Sequence, residues 1–453
     1  MTAANQPLRQ TVRTTGGIAP RRAAQRVAWL VALVNLAAVE VMFYVAETAK
    51  PAPNTLITIG RFLGLHLALL MITQLLLIAR LPWLERRIGM DRLTSWHRWV
   101  GLSLFWVVLG HPTFVILGYA SFYHVSFFDQ FVDFTGVVPT LLGMFAAAVV
   151  VVVVAFSVRL VRRRLSYEAW HAVHMLIYAA ITLAIIHQTF EASTFNYSIV
   201  TRVYWWTLWT AAVAAFLIGR FLTPLVRNAR HRLRVSAVVP EGPDVVSVYV
   251  TGRDLQRLRA RAGQFMIWRF LGHNRWWQAN PFSLSAAPDG QSLRLTAKAV
   301  GTTSAGLRQL PVGTRVFVEG PYGALTTMHR RREGTLLIAG GIGITPIRSL
   351  LEELRGSVVV LYRVRTDAEA VLLAELRELA GARDARIHVL TGRTGPDNDP
   401  FAAENLRKLV PDITERDVYI CGPPAMTTAV LQSLHALKIP TEQIHTERFR
   451  LAA

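Results

Sequence analysis

Cysteine is nearly absent: the chain of 453 residues has one, Cys421. A disulfide framework needs cysteines in pairs and an all-cysteine iron–sulfur cluster needs several, so this chain builds neither within itself. Acidic residues are also scarce, 29 against 49 lysines and arginines, which leaves a formal charge of +20. Such an excess can mark a nucleic-acid binder. Here many of the arginines flank apolar stretches, as membrane topology requires, and no nucleic-acid partner is expected. There is no internal repeat and no low-complexity segment. What the chain has in plenty is hydrophobic residues, 52% of the total, with a mean hydropathy of +0.33. The length allows two or three domains.

Residues 1–26 are polar and basic and read as a disordered tail. A cleaved signal fits less well, because the apolar run starts late and no small-residue cleavage site follows. Six apolar stretches come next, at about 27–46, 57–79, 97–120, 136–158, 168–190 and 199–222. Each is near the roughly 20 residues that span a bilayer. Arg80, Arg86, Arg87 and Arg92 lie between the second and third stretches, and Arg159, Arg162, Arg163 and Arg164 between the fourth and fifth. The opposite loops carry Asp129, Asp133 and Glu191, with Lys50 as a cation. The positive-inside rule then places both termini in the cytoplasm and makes this a multi-pass protein of the cell membrane.

Histidines give this membrane region a chemistry. His97 and His111 sit on the third stretch with 13 residues between them. That step rises about 21 Å and falls only about 40° short of whole turns, so both imidazoles share a helix face at two depths. The fifth stretch carries His174 and His187. Both helices run outward, which sets His97 level with His174 and His111 level with His187. Two stacked bis-imidazole sites suit two haems, since neutral imidazole is an ordinary axial ligand of haem iron. One point opposes the simple picture: an ideal helix turns His187 about 140° away from His174. His171 does no better, and periodicity does not choose between His171 and His174. His66 reads as a polar packing residue. Glu40 and His124 are weaker candidates for an exterior acceptor site. Arg98 and Arg80 are placed to meet haem propionates, although such flanking arginines commonly snorkel.

After a basic linker, Arg227 to Arg234, the rhythm changes to short alternating strands such as Val245–Val250 and Arg294–Ala299, the pattern of a small antiparallel barrel. From about residue 334, strands alternate with helices, which implies a parallel sheet covered on both faces. Several motifs lie here. They are Asn280-Pro281-Phe282-Ser283-Leu284-Ser285, the run from Lys298 through Gly301, Thr302 and Thr303 to Ser304, and Gly320-Pro321-Tyr322-Gly323. Gly340-Gly341-Ile342-Gly343-Ile344-Thr345-Pro346 follows a strand and opens a helix, the setting in which glycines let a dinucleotide pyrophosphate approach. Cys421-Gly422-Pro423-Pro424-Ala425-Met426 follows another strand. Arg363 and Arg365 end the second strand of this region, where arginine can pair with a 2′-phosphate, which favours NADPH over NADH.

Taken together, these features resemble the NADPH oxidase and ferric reductase superfamily, over nearly all of the chain after the tail. The resemblance implies a multi-domain membrane protein. Its parts are a six-helix α transmembrane di-haem domain (27–222), an antiparallel β-barrel FAD domain (229–327) and an α/β NAD(P)H-binding domain (334–453). In that family the third helix carries two haem histidines with 13 residues between and the fifth two with 12 between. By resemblance the ligands are therefore His97, His111, His174 and His187. The resemblance further assigns Pro281 and Phe282 to the strand beside the isoalloxazine and Ser283 to the flavin N5 region. Asn280 stands where the family usually has histidine. Lys298 to Ser304 would hold the flavin pyrophosphate. Thr345, Pro346 and Cys421 would border the nicotinamide, Gly422, Pro423 and Met426 would belong to the second nucleotide segment, and Phe449 would cover the flavin face.

The expected chemistry is hydride transfer from NADPH or NADH to FAD, then single electrons through two b-type haems to an exterior acceptor, O2 or an Fe3+ chelate. Hydride transfer needs no side-chain acid or base, so no catalytic side chain is named. Two readings from other classes remain: a haem membrane subunit that passes electrons to a partner protein, and a proton-coupled transporter without haem.

Overall fold

The computed structural model describes residues 21–158, 161, 164–165, 167–272, 278, 280–393, 395 and 399–446. Among these, six helices are long and apolar enough to cross a membrane. They belong to α1 (Arg21–Ala49), α2 (Thr55–Leu77), α4 (Met90–Tyr123), α6 (Val138–Ser157), α7 (Tyr167–Glu191) and α8 (Ile199–Leu217). A short helix, α3 (Pro82–Ile88), precedes α4, and α5 (Phe127–Thr135) follows it. The six spans fall where hydropathy predicts, but their ends differ. α1 begins at Arg21, inside the stretch expected to be tail. α4 reaches back to Met90 and so takes in Arg92. α8 does not stop near residue 222: it passes through a π-helical turn (Ile218–Leu222) into α9 (Thr223–His231).

The helix ends are set by local chemistry. Asn54 caps α2 by accepting from the Ile57 N–H and donates its own amide to the Gly118 carbonyl, which ties the start of α2 to α4. Ser198 and Thr201 form a reciprocal cap on α8. α5 was not foreseen as a helix. Ser126 caps it, and Phe127, Phe128, Phe131 and Val132 stay exposed, as in a helix lying in the plane of a membrane interface. Within the bundle α2 packs along α4 and α6 along α7.

Beyond α9 come two three-stranded antiparallel sheets. One has the order β1 (Arg234–Pro240), β2 (Val245–Thr251), β5 (Ser292–Lys298). The other is β4 (Asn280–Ser283), β3 (Phe265–Phe270), β6 (Val316–Tyr322). Isolated bridges, Arg234–Arg315 and Leu284–Leu295, join them at both seams. The expected barrel is thus two half-sheets around one core, with Met266, Trp268, Leu284 and Leu295 at its centre.

The last part is a parallel five-stranded sheet of order β11 (Ile444–Thr446), β10 (Arg416–Cys421), β7 (Gly334–Gly340), β8 (Val358–Arg363), β9 (Arg386–Leu390). Strands β8 and β10 are buried throughout and β7 from Thr335 onward, as continuous apolar runs covered on both faces must be. The strand order reverses between β7 and β10, and in open parallel sheets the crevice at that point is where ligands bind.

Candidate functional site

The crevice brings two sequence motifs together. Gly340–Gly343 leaves β7 and leads into α11 (Ile344–Glu353), while Cys421–Met426 leaves β10 and leads into α14 (Pro424–Ala436); α10 (Thr302–Gly306) precedes both in the chain, and α12 (Leu373–Gly381) and α13 (Ala403–Leu409) lie between them. The fit depends on missing side chains. A Cβ on Gly343 would lie 2.3 Å from the Cys421 carbonyl oxygen, and one on Gly340 2.6 Å from the Met426 sulfur. Thr345 and Cys421 are buried beside this turn, and the Thr345 hydroxyl donates to the Ile342 carbonyl at 3.0 Å. The two arginines after β8 part ways. Arg363 is buried and donates to the Thr391 carbonyl at 2.7 Å. Arg365 is exposed and paired with Glu369 at 3.0 Å.

In the barrel, Asn280 to Ser283 form β4 against β3, and the Trp268 indole donates to the Phe282 carbonyl at 3.1 Å. Ser283 is buried. Leu284 and Ser285 lie deeper, fully buried, and the Ser285 hydroxyl is engaged by Arg294 at 3.0 Å and Thr296 at 2.7 Å. Those two residues therefore serve the barrel interior. The Ser304 hydroxyl accepts from the Val300 and Gly301 N–H groups, and Val300, Gly301 and Thr302 are the exposed part of that turn. Lys298 pairs with Asp244 at 3.2 Å. Phe449 lies outside the described residues.

The sheet domain is locked to the barrel by charge. Arg294, almost wholly buried, grips Glu375 with two bonds of 2.9 and 3.0 Å, and Arg348 reaches the same carboxylate at 3.0 Å. Burial by itself would raise the Glu375 carboxyl, but the hydrogen bonds and charges of Arg294 and Arg348 hold it below its ordinary value.

A second joint ties the barrel to the membrane helices. Glu319 of β6 is buried and takes Arg80, which follows α2, at 2.6 Å, and also Arg269 of β3. Burial would raise its carboxyl, but Arg80 and then Arg269 carry it below the usual range. Arg80, expected to face the membrane edge, is thus turned to the barrel and lies over the Tyr322 ring. Met90 packs on Phe265, Ile267 and Tyr322. Asn228 of α9 donates to the Val318 carbonyl and accepts from its N–H, both at 2.8 Å. Beside this network Glu85 is buried with one carboxyl oxygen unpartnered. Burial pushes it up to about 8, against the pull of Arg80 and Arg220.

Inside the membrane the four histidines meet in two pairs. The ring centres of His97 and His174 lie 6.2 Å apart, and those of His111 and His187 lie 6.4 Å apart. A five-membered ring with sides near 1.35 Å has its atoms about 1.15 Å from its centre. A metal–imidazole bond is about 2.0–2.1 Å. Two rings sharing one metal between them thus have centres about 6.3–6.5 Å apart, and both pairs lie within about 0.1 Å of that span.

The other ring nitrogens are held. His111 Nδ1 lies 2.8 Å from the Gly60 carbonyl and His187 Nδ1 3.0 Å from the Pro139 carbonyl. A carbonyl only accepts, so each Nδ1 carries the proton and each Nε2 keeps its lone pair, the tautomer a metal needs. The Ser157 hydroxyl donates to the Val153 carbonyl and so can accept from both the Trp170 indole at 3.3 Å and His174 Nδ1 at 3.4 Å. His97 Nδ1 is buried without a partner, while the His97 carbonyl accepts from Gln74. Glycines make room for the outer rings: a Cβ on Gly64 or Gly143 would stand 2.8 or 2.7 Å from His111 or His187.

α-Helical structure is continuous over Tyr167–Glu191, so no turn of different pitch absorbs the angle between His174 and His187. His174, not His171, faces His97. His66 bonds the Phe62 carbonyl at 2.8 Å and Glu40 at 3.0 Å, a packing role that also occupies Glu40. His124 caps the end of α4, and Arg98 is exposed. Sequence reasoning missed the glycine cradle, Ser157, Gln74 and both ion networks. Gly60-xxx-Gly64 on α2, a spacing typical of close membrane-helix packing, was the available signal for the cradle.

Three family models match this chain. Residues 63–185 match a ferric reductase like transmembrane component, residues 230–326 an FAD-binding domain and residues 337–432 an oxidoreductase NAD-binding domain. The chain is 35% identical over 222 residues to the ferredoxin reductase component of 3-ketosteroid-9-alpha-monooxygenase from Mycobacterium tuberculosis, covering 47% of this chain and 60% of that protein. It is 26% identical over 233 residues to the propane 2-monooxygenase reductase component of Mycolicibacterium smegmatis, covering 48% and 67%. Among solved structures, the flavohem-like FAD/NAD-binding domain of nitric oxide dioxygenase from Vibrio cholerae O1 biovar El Tor aligns at 25% identity with a TM-score of 0.42. That alignment covers 49% of this chain and 99% of that one. The chain spans about 60% of the length of the first of these curated relatives. It is a multi-pass membrane protein that joins a ferric-reductase-like transmembrane component to FAD- and NAD-binding domains, an arrangement similar to that of ferric reductase and NADPH oxidase fusions.

Proposed function

We propose that this protein moves electrons from NAD(P)H on the barrel side of the membrane to an acceptor on the far side, through FAD and two haems. The observation that carries the proposal is the repeated 6.2 and 6.4 Å ring spacing at two depths of one bundle. A transporter that uses histidines for protons has no need of two pairs set at the span of a shared metal. When bound, the flavin takes two electrons together and gives them up singly, and each haem passes one at a time.

The chain's own residues do the holding. His97 with His174, and His111 with His187, would supply the nitrogens that hold the two haems. Gly60, Pro139 and Ser157 would fix the tautomers of three of them. Asn280 to Ser283, with Lys298 and the turn Gly301–Ser304, would line the flavin. The two loops at the sheet crevice would take the dinucleotide, with Thr345, Pro346 and Cys421 nearest the nicotinamide and Arg365 at the 2′-phosphate. The domain extents that accompany this reading are 27–222, 229–327 and 334–453. Arg80 bonding to Glu319 supports the orientation, because the arginine-bearing loop then lies on the barrel side, as the positive-inside rule asks of the cytoplasm.

Purified full-length protein should show a sharp reduced α band and two haems per chain by pyridine haemochrome. A preparation with no Soret band would sink the proposal. The acceptor is read next: NADPH-driven cytochrome c reduction blocked by superoxide dismutase selects oxygen, and reduction of an Fe3+ chelate that is indifferent to the dismutase selects ferric iron. Curated relatives named as reductase components of monooxygenases favour one further reading, delivery to a partner protein. It predicts slow turnover with both small acceptors.

A further inference from the structure

A cleft of about 260 Å³ opens where the membrane helices meet the barrel, and none of the roles above uses it. Arg227, Arg230 and His231 of α9 line it together with Arg257 and Arg259 of the barrel. Arg227 donates to the Gly320 carbonyl, and Arg230 pairs loosely, at 3.7 Å, with the half-exposed Asp254. Arg257 and Arg259 are exposed, yet the turn that bears them is firmly set. Leu255 and Leu258 are buried in the barrel core, and Asp254 and Arg259, at φ of 52° and 54°, bracket the turn in left-handed backbone. That conformation costs a residue with a side chain, so the surrounding structure must hold it.

The cleft continues into an apolar strip. Phe221, Leu222, Leu225 and Val226 are each more than half exposed, and Val226 also lines the cleft. The apolar stretch Ile199–His231 has 33 residues. That is about 50 Å of helix, against roughly 30 Å of hydrocarbon core, so its last turns stand among lipid headgroups.

We infer that this cleft binds a phosphate-bearing anion, and that its source is the headgroup of an anionic phospholipid. Guanidinium groups match phosphate oxygens in charge and in fork geometry. Basic pockets of this kind beside membrane helices suit anionic headgroups. Free phosphate has no use for the apolar strip that leads in. Because Pro82, α9 and the barrel all line the cleft, its occupant touches both sides of the joint.

The test uses the full chain in nanodiscs of phosphatidylcholine, with and without phosphatidylglycerol, read by thermal melting and by native mass spectrometry of retained lipid. Wild type should keep phosphatidylglycerol through detergent exchange, melt higher with it, and lose it as ionic strength rises. The double variant Arg257→Gln/Arg259→Gln should bind it at least about tenfold more weakly while melting unchanged in phosphatidylcholine. If the double variant does not melt cooperatively, Arg259→Lys, which keeps the charge and loses the fork, replaces it and should weaken retention by a smaller factor. Equal retention of both lipids by wild type, or equal phosphatidylglycerol retention by wild type and variant, overturns the inference. Inorganic phosphate that raises melting as much as the lipid, and displaces it, moves the site to free phosphate and overturns the lipid assignment.

Discussion

The outer and inner histidine pairs have nearly the same span but different support. The outer rings are anchored by main-chain carbonyls, Gly60 and Pro139, and bedded on two glycines. The inner pair leans on side chains: a shared Ser157 hydroxyl, a Trp170 ring stacked 5.1 Å from His174, and a His97 nitrogen with no partner. A main-chain acceptor survives any substitution of its own residue except through steric change. A side-chain acceptor is removed by one substitution. The outer site is therefore sensitive to added bulk and the inner site to lost polarity.

The largest effect should come from breaking the outer pair outright. His111→Ala should halve the haem content and lower NAD(P)H-driven reduction of any far-side acceptor at least about a hundredfold, while flavin reduction by NAD(P)H stays intact. Gly143→Val should imitate this without touching a ligand, since its side chain needs the volume of the His187 ring. One remaining haem with an unaltered inner-site spectrum is the expected result, and two normal haems would contradict the steric argument.

The inner pair is tested at the joint that serves it. Glu319→Gln removes the charge gripped by Arg80 and Arg269 and should slow reduction of the inner haem by flavin about tenfold, leaving hydride transfer unchanged in stopped flow. Wild type carries the same sensitivity in pH. The Glu319 carboxyl is held low, so its contribution is present above the ordinary glutamate range and fades as pH falls through its lowered value. Glu85 has the opposite sign. Its value is raised to about 8, so the cost of its burial grows as pH climbs from the free-glutamate range toward 8. Glu85→Gln should then raise the melting temperature by several degrees at pH 8 and leave it nearly unchanged near pH 4, below the ordinary glutamate value, measured by calorimetry.

The smallest effect is expected at Ser157→Ala. One hydrogen bond of about 0.5–1.5 kcal/mol corresponds to a one-electron potential shift of about 20–60 mV at the inner haem alone. A shift of both potentials would show that the two pairs are not independently supported.

Much of this could be read beforehand, for physical reasons. Six spans announce themselves because a bilayer demands length and apolarity from each segment separately. The turn after β7 was legible because close approach to Cys421 and Met426 demands glycine at fixed spacing. The matching of His97 with His174 followed from depth, but the choice over His171 came from family resemblance, since the turn angle along α7 points the wrong way. The joints were not legible. Arg80 and Glu319 lie far apart in sequence, and nothing in a lone arginine says whether it will meet lipid, propionate or another domain. The aromatic helix α5 was missed because its residues alternate with acids that read as loop.

The amide of Asn228 takes both main-chain polar atoms of Val318, much as a neighbouring strand would. A membrane helix thereby finishes a sheet. The rim of β6 at that point offers no bare donor or acceptor to a stray chain, so the barrel is shielded there from edge-to-edge association. Any tilt the bilayer imposes on the last helix is handed directly to the strand that ends in Tyr322.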